Sequence, residues 1–134
     1  MERVLGDAMS TDLLVVAPEE ALGEAARKMS TRGVGAALVM DAGRLLGILT
    51  ERDLLNAVAS RADTGEARVR DWMSEGPVTA PQTMAIGRAA RIMVTRGFRH
   101  LPIVEGERTI GIVSLRDIIR ATARVYPEYE DEES

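Results

Sequence analysis

Two pairs of side chains have a spacing that suits ligand binding. Thr50 precedes Asp53 by three residues, and Ser114 precedes Asp117 by the same interval. An ionised carboxylate accepts hydrogen bonds through two oxygens, which suits the adjacent 2′ and 3′ hydroxyls of a ribose. A hydroxyl three residues earlier can add a contact to a sugar or a phosphate, and the amides of a helix start favour anionic oxygen.

The same spacing also describes a capping box, in which both side chains only satisfy the first free amides of a helix. Each pair follows a glycine and two apolar residues, so that Ile48 and Ile112 lie just before it. Duplication does not separate the two interpretations, because a duplicated cap recurs as faithfully as a duplicated site. Both roles can coexist on Thr50 and Ser114, and the residues alone leave both open.

An internal repeat sets the positions of both pairs. The landmarks at positions 29, 47 and 53 recur at 93, 111 and 117, an offset of 64 positions. Such a repeat indicates the architecture before any single residue is interpreted. The predicted repeats span 1–60 and 69–125, with a polar linker at 61–68 and an acidic segment at 126–134. Each repeat is too short to bury much surface alone, so the two are expected to share a core.

Each copy opens with a short apolar element that ends in a methionine, Met9 or Met73, and continues into an extended stretch. Two strands are predicted in each copy, at 36–40 with 44–49 and at 100–104 with 109–113. The core must come from Leu, Ile, Val, Ala and Met, because the chain has only four aromatic residues. An α+β fold of two pseudo-symmetric β-α-β-β-α repeats packed into one module follows, since each small sheet has an apolar face that needs cover.

Helical periodicity supplies the covering elements. Apolar stripes at i, i+3, i+4 and i+7 run from position 22 to 29 and from 86 to 93. Pro18 and Pro81 are expected in the first turn of these helices, and Gly33 and Gly97 are expected to end them in a left-handed conformation. A closing helix begins near each hydroxyl. Three residues of each closing helix are expected to point inward: Leu54, Leu55 and Val58 in the first copy, and Ile118, Ile119 and Ala123 in the second.

Composition narrows the classes of function. The chain has no cysteine, no basic and apolar start typical of a secretion signal, and no apolar run long enough to cross a bilayer, which predicts a cytoplasmic protein without membrane insertion. The net charge of −4 comes from the last segment: without the five acids of Glu128–Glu133, 16 acids stand against 17 basic residues. A nearly neutral body lacks the basic excess of a nucleic-acid binder. The acidic segment is expected to be solvated and disordered, with partner binding as the alternative.

These duplicated elements resemble the CBS domain, named after cystathionine beta-synthase, in a tandem pair or Bateman module. The resemblance rests on the two methionines, the Ala-Pro segments, the run Arg-Gly-Phe-Arg-His-Leu-Pro-Ile-Val ending at Val104, and the Gly-apolar-apolar-[Thr/Ser]-x-x-Asp endings. It covers about Val4 to Val125. It implies a regulatory homodimer that requires no cofactor, binds an adenosine-containing ligand (AMP, ADP, ATP or S-adenosylmethionine) and acts on a protein partner that the sequence does not identify.

The resemblance also implies two clefts, each joining the aspartate of one repeat to the early extended segment and second strand of the other. Carried over, Asp53 would face Val78, Phe98 and Arg99. Asp117 would face three smaller neighbours: Leu13, Val34 and Gly35. The cleft of Asp53 is therefore expected to hold the nucleotide, because it offers an aromatic ring to adenine, and the other is expected to be tighter or empty.

Three basic residues are candidates for phosphate binding. Arg99 and His100 match positions that contact phosphates in related pairs, and an arginine presents several donors in one plane. The alternative for His100, the only histidine, is a strand residue with a local hydrogen bond. Arg116, next to Asp117, suits a surface ion pair as well as a phosphate.

Catalysis is not expected. A single histidine and no cysteine exclude the usual zinc clusters, and neither aspartate has a partner that would make it a general base. Two further classes of function stay open. One is a ligand-free dimerisation scaffold, in which Ser/Thr-x-x-Asp is only a cap, and the other is a small hydrolase or transferase.

Overall fold

A computed structural model describes residues 2–125 of the chain, with side chains through Thr122 in the last helix. The elements follow one another as a 3-10 turn η1 (Leu5–Asp7), β1 (Val15–Val16), α1 (Leu22–Arg32), β2 (Ala36–Asp41), β3 (Arg44–Thr50), α2 (Glu51–Ala59), α3 (Val69–Trp72), β4 (Ser74–Glu75), α4 (Ile86–Arg96), β5 (His100–Glu105), β6 (Arg108–Ser114) and α5 (Leu115–Val125). The mixed α+β fold and the four main strands confirm the sequence prediction. The prediction for 126–134 lies outside the described residues.

The chain forms two compact units that do not coincide with the two repeats. One is built from residues 12–77 and is called here the continuous unit. The other joins the first 11 residues to the chain from Val78 onward and is called here the split unit. The N-terminal segment thus folds with the second repeat, while α3 and β4 fold with the first.

The continuous unit contains a four-stranded sheet in the order β1-β2-β3-β4. Strand β1 is parallel to β2, and the other neighbours are antiparallel. Its core lies between this sheet and the stripe of α1, whose Leu22, Ala25 and Met29 are buried. The register pairs Ala36 with Thr50, which places the start of α2 beside the start of β2.

The split unit repeats this plan with fewer residues in regular strands. Strands β5 and β6 are antiparallel, and isolated bridges from Ala80 to Ile103 and from Ser10 to Ile112 occupy the places of the outer strands. The stripe of α4, with Ile86, Ala89 and Met93 buried, covers this core: the helix has the same period as α1 and an equivalent left-handed glycine after it. The φ values of 66° at Gly33 and 78° at Gly97 confirm both predicted helix ends.

The prediction for the two prolines is wrong. Pro18 and Pro81 lie in turns four and five residues before the first residues of α1 and α4. The cap residues are still extended, with ψ of 136° at Ala21 and 137° at Ala85. Each cap residue forms an isolated bridge, Ala21 with Arg68 and Ala85 with Val4. Because of this pairing with a distant segment, the helix begins several residues after the proline.

The predicted inward faces of the closing helices are partly wrong. Leu55 and Val58 of α2 are each 66% exposed, and Ile119 of α5 is 51% exposed. Each helix packs through a narrower stripe than predicted. In α2, Ala57 is buried and Leu54 packs against the edge of the core, and in α5, Ile118 is buried. Ala121 is buried in α5 as well. The side chain of Ala123 lies outside the described part.

Candidate functional site

The start of α2 is a complete capping box. Asp53 Oδ2 accepts hydrogen bonds from the Thr50 amide at 2.8 Å and from Thr50 Oγ1 at 3.1 Å. In return, the Asp53 amide donates to Thr50 Oγ1 at 3.4 Å. The hydroxyl hydrogen of Thr50 is therefore engaged by the aspartate. The capping interpretation is confirmed here, and it occupies one of the two carboxylate oxygens.

The start of α5 has the same cap with a different use of the hydroxyl. Asp117 Oδ2 accepts from the Ser114 amide at 2.8 Å, and the Asp117 amide donates to Ser114 Oγ at 3.0 Å. Among the described residues, the Ser114 hydroxyl has no acceptor for its own hydrogen. Both aspartates are half-buried, and Oδ1 of each has no hydrogen bond within residues 2–125.

In each unit the segment after the first helix contacts the cap. The Glu51 amide donates to the Gly35 carbonyl at 3.1 Å, and the Leu115 amide donates to the Arg99 carbonyl at 2.8 Å. His100 pairs with Ser114 across β5 and β6. The amide of the first helical residue, Glu51 or Leu115, is thus hydrogen-bonded to the segment that varies most between the repeats. This bond positions that segment beside the aspartate.

The predicted site residues divide between the two units. The continuous unit holds six of them: Leu13, Val34, Gly35, Ile48, Thr50 and Asp53. The split unit holds the other eight: Val78, Phe98, Arg99, His100, Ile112, Ser114, Arg116 and Asp117. Within the split unit the cap, the aromatic residue and the two candidate arginines come from neighbouring segments. The predicted partnership of Asp53 with Phe98 and Arg99 stays a prediction.

The exposure of these side chains fits different roles. Arg99 and Arg116 are exposed, and neither forms an ion pair with another described residue. Phe98 is half-buried and packs against the core of its unit. His100 is half-buried and lies opposite Ser114, its partner across β5 and β6.

The glycine before each cap has a structural role that the sequence did not reveal. A Cβ at Gly47 would lie 2.7 Å from the Ser74 carbonyl oxygen and 2.8 Å from Met73 Sδ. At Gly111 it would lie 2.6 Å from Met9 Sδ. A methionine therefore crosses each glycine and holds the strand that leads into the cap. The signal was present in the recurrence of Met9 and Met73, but their partners are distant in the chain.

Residues 2–125 show neither a cluster suited to a metal ion nor a helix suited to cross a membrane. Within residues 2–125, no group of three or more His, Cys, Asp or Glu side chains is arranged to hold a metal ion. In the same part of the chain no helix is long and apolar enough to cross a membrane. The polar side chains that both units bring to comparable places are the two capped aspartates with their hydroxyl partners.

Comparison with known proteins agrees with this architecture. The sequence profile of the CBS domain matches residues 5–60 and 69–124. The chain is 34% identical over 112 residues to the CBS domain-containing protein YhcV of Bacillus subtilis, covering 84% of this chain and 80% of that protein. The crystal structure of the CBS-domain containing protein ATU1752 from Agrobacterium tumefaciens is 33% identical, with a TM-score of 0.83 over 89% of this chain and 98% of that one.

A more distant structure shares the fold. The CBS domain pair of protein MJ0100, solved in complex with 5′-methylthioadenosine and S-adenosyl-L-methionine, has a TM-score of 0.84 over 92% of this chain and 98% of that chain at 22% identity. The duplicated caps, the shared strand-to-helix plan and the two profile matches lead to one conclusion. The chain belongs to the CBS-domain family and carries two CBS domains in tandem.

Proposed function

We propose that the protein is a regulatory module that binds an adenosine-containing ligand: AMP, ADP, ATP or S-adenosylmethionine. The observation that supports the proposal is the pair of half-buried aspartates. In each, Oδ2 accepts the hydrogen bonds of the helix cap, and Oδ1 has no partner among residues 2–125. Capping and ribose binding then use different oxygens of one carboxylate. The complex of the MJ0100 pair with two adenosine compounds supports the ligand class.

The chemistry of the ribose explains the choice of residue. Its 2′ and 3′ hydroxyls are adjacent donors, and an ionised carboxylate held rigid by its cap is an acceptor that loses little freedom on binding. The hydroxyl of Ser114 adds a donor at the second site. Exposed arginines such as Arg99 and Arg116 suit phosphates, because a guanidinium donates through several N–H groups.

Calorimetry with the four ligands tests the proposal through the variants Asp53→Asn and Asp117→Asn. The amide oxygen of asparagine retains an acceptor for the cap, whereas the charge that strengthens the ribose bond is lost. We expect affinity to fall roughly 10- to 100-fold at an occupied site, the size of a hydrogen bond to a charged group. Asp41→Asn, at an exposed strand end, is the matched control and should bind normally. Unchanged affinity in both site variants would exclude the ribose role.

Coupling measurements identify the aspartate that shares a ligand with Phe98. The variant Phe98→Leu is combined in turn with Asp53→Asn and with Asp117→Asn, and the affinity losses are compared. Losses that depart from additivity mark residues that act on one ligand. The family resemblance predicts coupling with Asp53.

A ligand-free dimerisation scaffold is the second candidate, and one observation favours it. Each closing helix exposes more than half of a large apolar side chain, Leu55 and Val58 on α2 and Ile119 on α5, and exposed apolar side chains are typical of a contact with a second copy. We propose that these helices form a homodimer contact in either case. Melting temperatures that stay constant with every adenosine compound would favour the scaffold, and nucleotide turnover by the pure protein would instead indicate an enzyme.

A further inference from the structure

The two units differ in charge. The split unit, counted through Arg124, holds nine arginines against five acids, and the continuous unit holds eight basic residues against 11 acids. Four ion pairs of Arg or Lys with Asp or Glu join described side chains of the continuous unit. None of the split unit's arginines whose side chains are described forms an ion pair within residues 2–125.

Helices α1 and α4 show how this difference arose. In α1, Glu24 and Arg27 form an ion pair, with Arg27 Nη2 at 2.5 Å from Glu24 Oε1. The equivalent residues of α4 are Arg88 and Arg91, both exposed. Like charges three residues apart repel, and Arg88 also lies in the first turn, where the helix dipole disfavours a cation. The arrangement weakens α4 unless an anion covers it.

Helix α5 continues the pattern. Arg116 and Arg120 are exposed and four residues apart, so they share one face, whereas the equivalent residues of α2 are Arg52 and Asn56. Helices α4 and α5 pack against each other in the split unit. We define the arginine surface by four residues of these two helices: Arg88, Arg91, Arg116 and Arg120.

We propose that the acidic segment Glu128–Glu133 of the same chain docks on the arginine surface. It holds five carboxylates, and it starts three residues after Val125, the last residue of α5. The eight residues from 126 to 133 reach about 26–29 Å when extended, and α5 is about 16 Å long. The segment is thus long enough to turn back along the helix that precedes it.

Tethering makes such weak contacts effective. A single exposed ion pair contributes little, but a short linker holds the segment at an effective concentration in the millimolar range. Docking supplies the anion that α4 lacks. It should be sensitive to salt, because the Debye length falls to about 3 Å at 1 M ionic strength.

A spin label on Ser134→Cys tests the proposal in the full chain, which has no other cysteine. We expect the nitroxide to broaden the amide signals of Arg88, Arg91, Arg116 and Arg120 in NMR spectra at low salt. The broadening in α4 should vanish at 1 M salt. It should also vanish when the five acids of the segment are replaced by Gln and Asn.

Substitutions on the surface supply the second arm. Arg88→Glu and Arg120→Gln should each lower the docking equilibrium roughly two- to five-fold, the size of one exposed ion pair. Arg88→Glu should fold well, because it creates in α4 the ion pair that α1 already has. Arg44→Gln, an exposed arginine of the continuous unit, is the matched control and should leave the broadening unchanged.

Two results would overturn the proposal. One is broadening confined to the end of α5, or unaffected by salt, by the neutral segment and by both surface variants, which would indicate a solvated segment. The other concerns mixtures in which one chain carries the spin label and a second, isotope-enriched chain carries none. Broadening that appears only in such mixtures would assign the contact to a second copy.

Discussion

The helix starts of the continuous and split units have the same cap but differ in what the cap leaves available. Thr50 donates its hydroxyl hydrogen to Asp53, whereas Ser114 only accepts from the Asp117 amide. The split unit therefore keeps a donor beside its aspartate, and the continuous unit does not. Duplication has preserved the structural role of the pair while allowing its chemistry to diverge.

The same contrast appears in the surroundings of the caps. Phe98 and Arg99 stand in the split unit where the continuous unit has Val34 and Gly35. The ion pairs are also distributed unevenly, since the four between described Arg or Lys and Asp or Glu side chains lie in the continuous unit. The continuous unit thus pairs several of its charges internally, whereas the described arginine side chains of the split unit form no ion pair within residues 2–125.

The largest difference should appear at the two glycines under the methionines. In Gly47→Ala the new methyl meets the Ser74 carbonyl, which belongs to the backbone and cannot move cheaply, so we expect a loss of about 2–3 kcal/mol in the free energy of unfolding. In Gly111→Ala the nearest atom is Met9 Sδ, the end of a flexible side chain, so about 1 kcal/mol is expected. Urea denaturation measures both.

Gly65→Ala is the control, because its nearest neighbour is a side-chain oxygen of Asp63 at 3.4 Å. It should change the free energy of unfolding by less than about 0.5 kcal/mol. Equal losses at Gly47 and Gly111 would contradict the expected difference between a backbone neighbour and a flexible side-chain neighbour.

A smaller difference is expected between the capping aspartates. Asp53→Ala removes an acceptor of two hydrogen bonds and should cost about 1.5 kcal/mol, while Asp117→Ala removes an acceptor of one and should cost about 1 kcal/mol. Equilibrium unfolding in urea tests the order. The Asn variants keep an acceptor and should cost less; alanine and asparagine variants of equal stability would contradict the capping geometry.

The smallest effect concerns the ion pair of α1. The hydrogen bond from Arg27, with its positive charge, lowers the pKa of Glu24 below the ordinary value of 4.5. The pair therefore stabilises the fold fully above about pH 4.5, and its contribution is lost as the pH falls through the lowered pKa of the folded state. Glu24→Gln should lower the melting temperature slightly at pH 7, by less than the cap variants do.

The corresponding change in the split unit has the opposite sign. Arg88→Glu should raise the melting temperature slightly at pH 7, and the gain should disappear in acid and at high salt. Calorimetric melting curves of both variants between pH 3 and pH 7 make the comparison. A gain that persists at low pH would show that removal of the repulsion, rather than formation of the pair, is responsible.

Local features of this fold could be predicted well because they depend on residues close together in the chain. The stripes of α1 and α4, their left-handed glycine ends and both capping boxes follow from spacings of three or four residues. The positions of the prolines were predicted wrongly, because bridges to distant residues, such as that from Ala21 to Arg68, set where the helices begin. The burial of Leu55 was predicted wrongly, because the width of the core sets which residues of α2 are covered.

By itself, the sequence determined the repeat, the order of helices and strands, the membership of the CBS-domain family and the spacing of two Thr/Ser-x-x-Asp pairs. Only the tertiary structure decided that the segment with Met9 packs on Gly111 and that Met73 packs on Gly47. It also decided which oxygen of each aspartate the cap uses. The physical reason is that capping and periodicity are interactions over one helical turn, whereas the choice of a packing partner joins residues that are far apart in the chain.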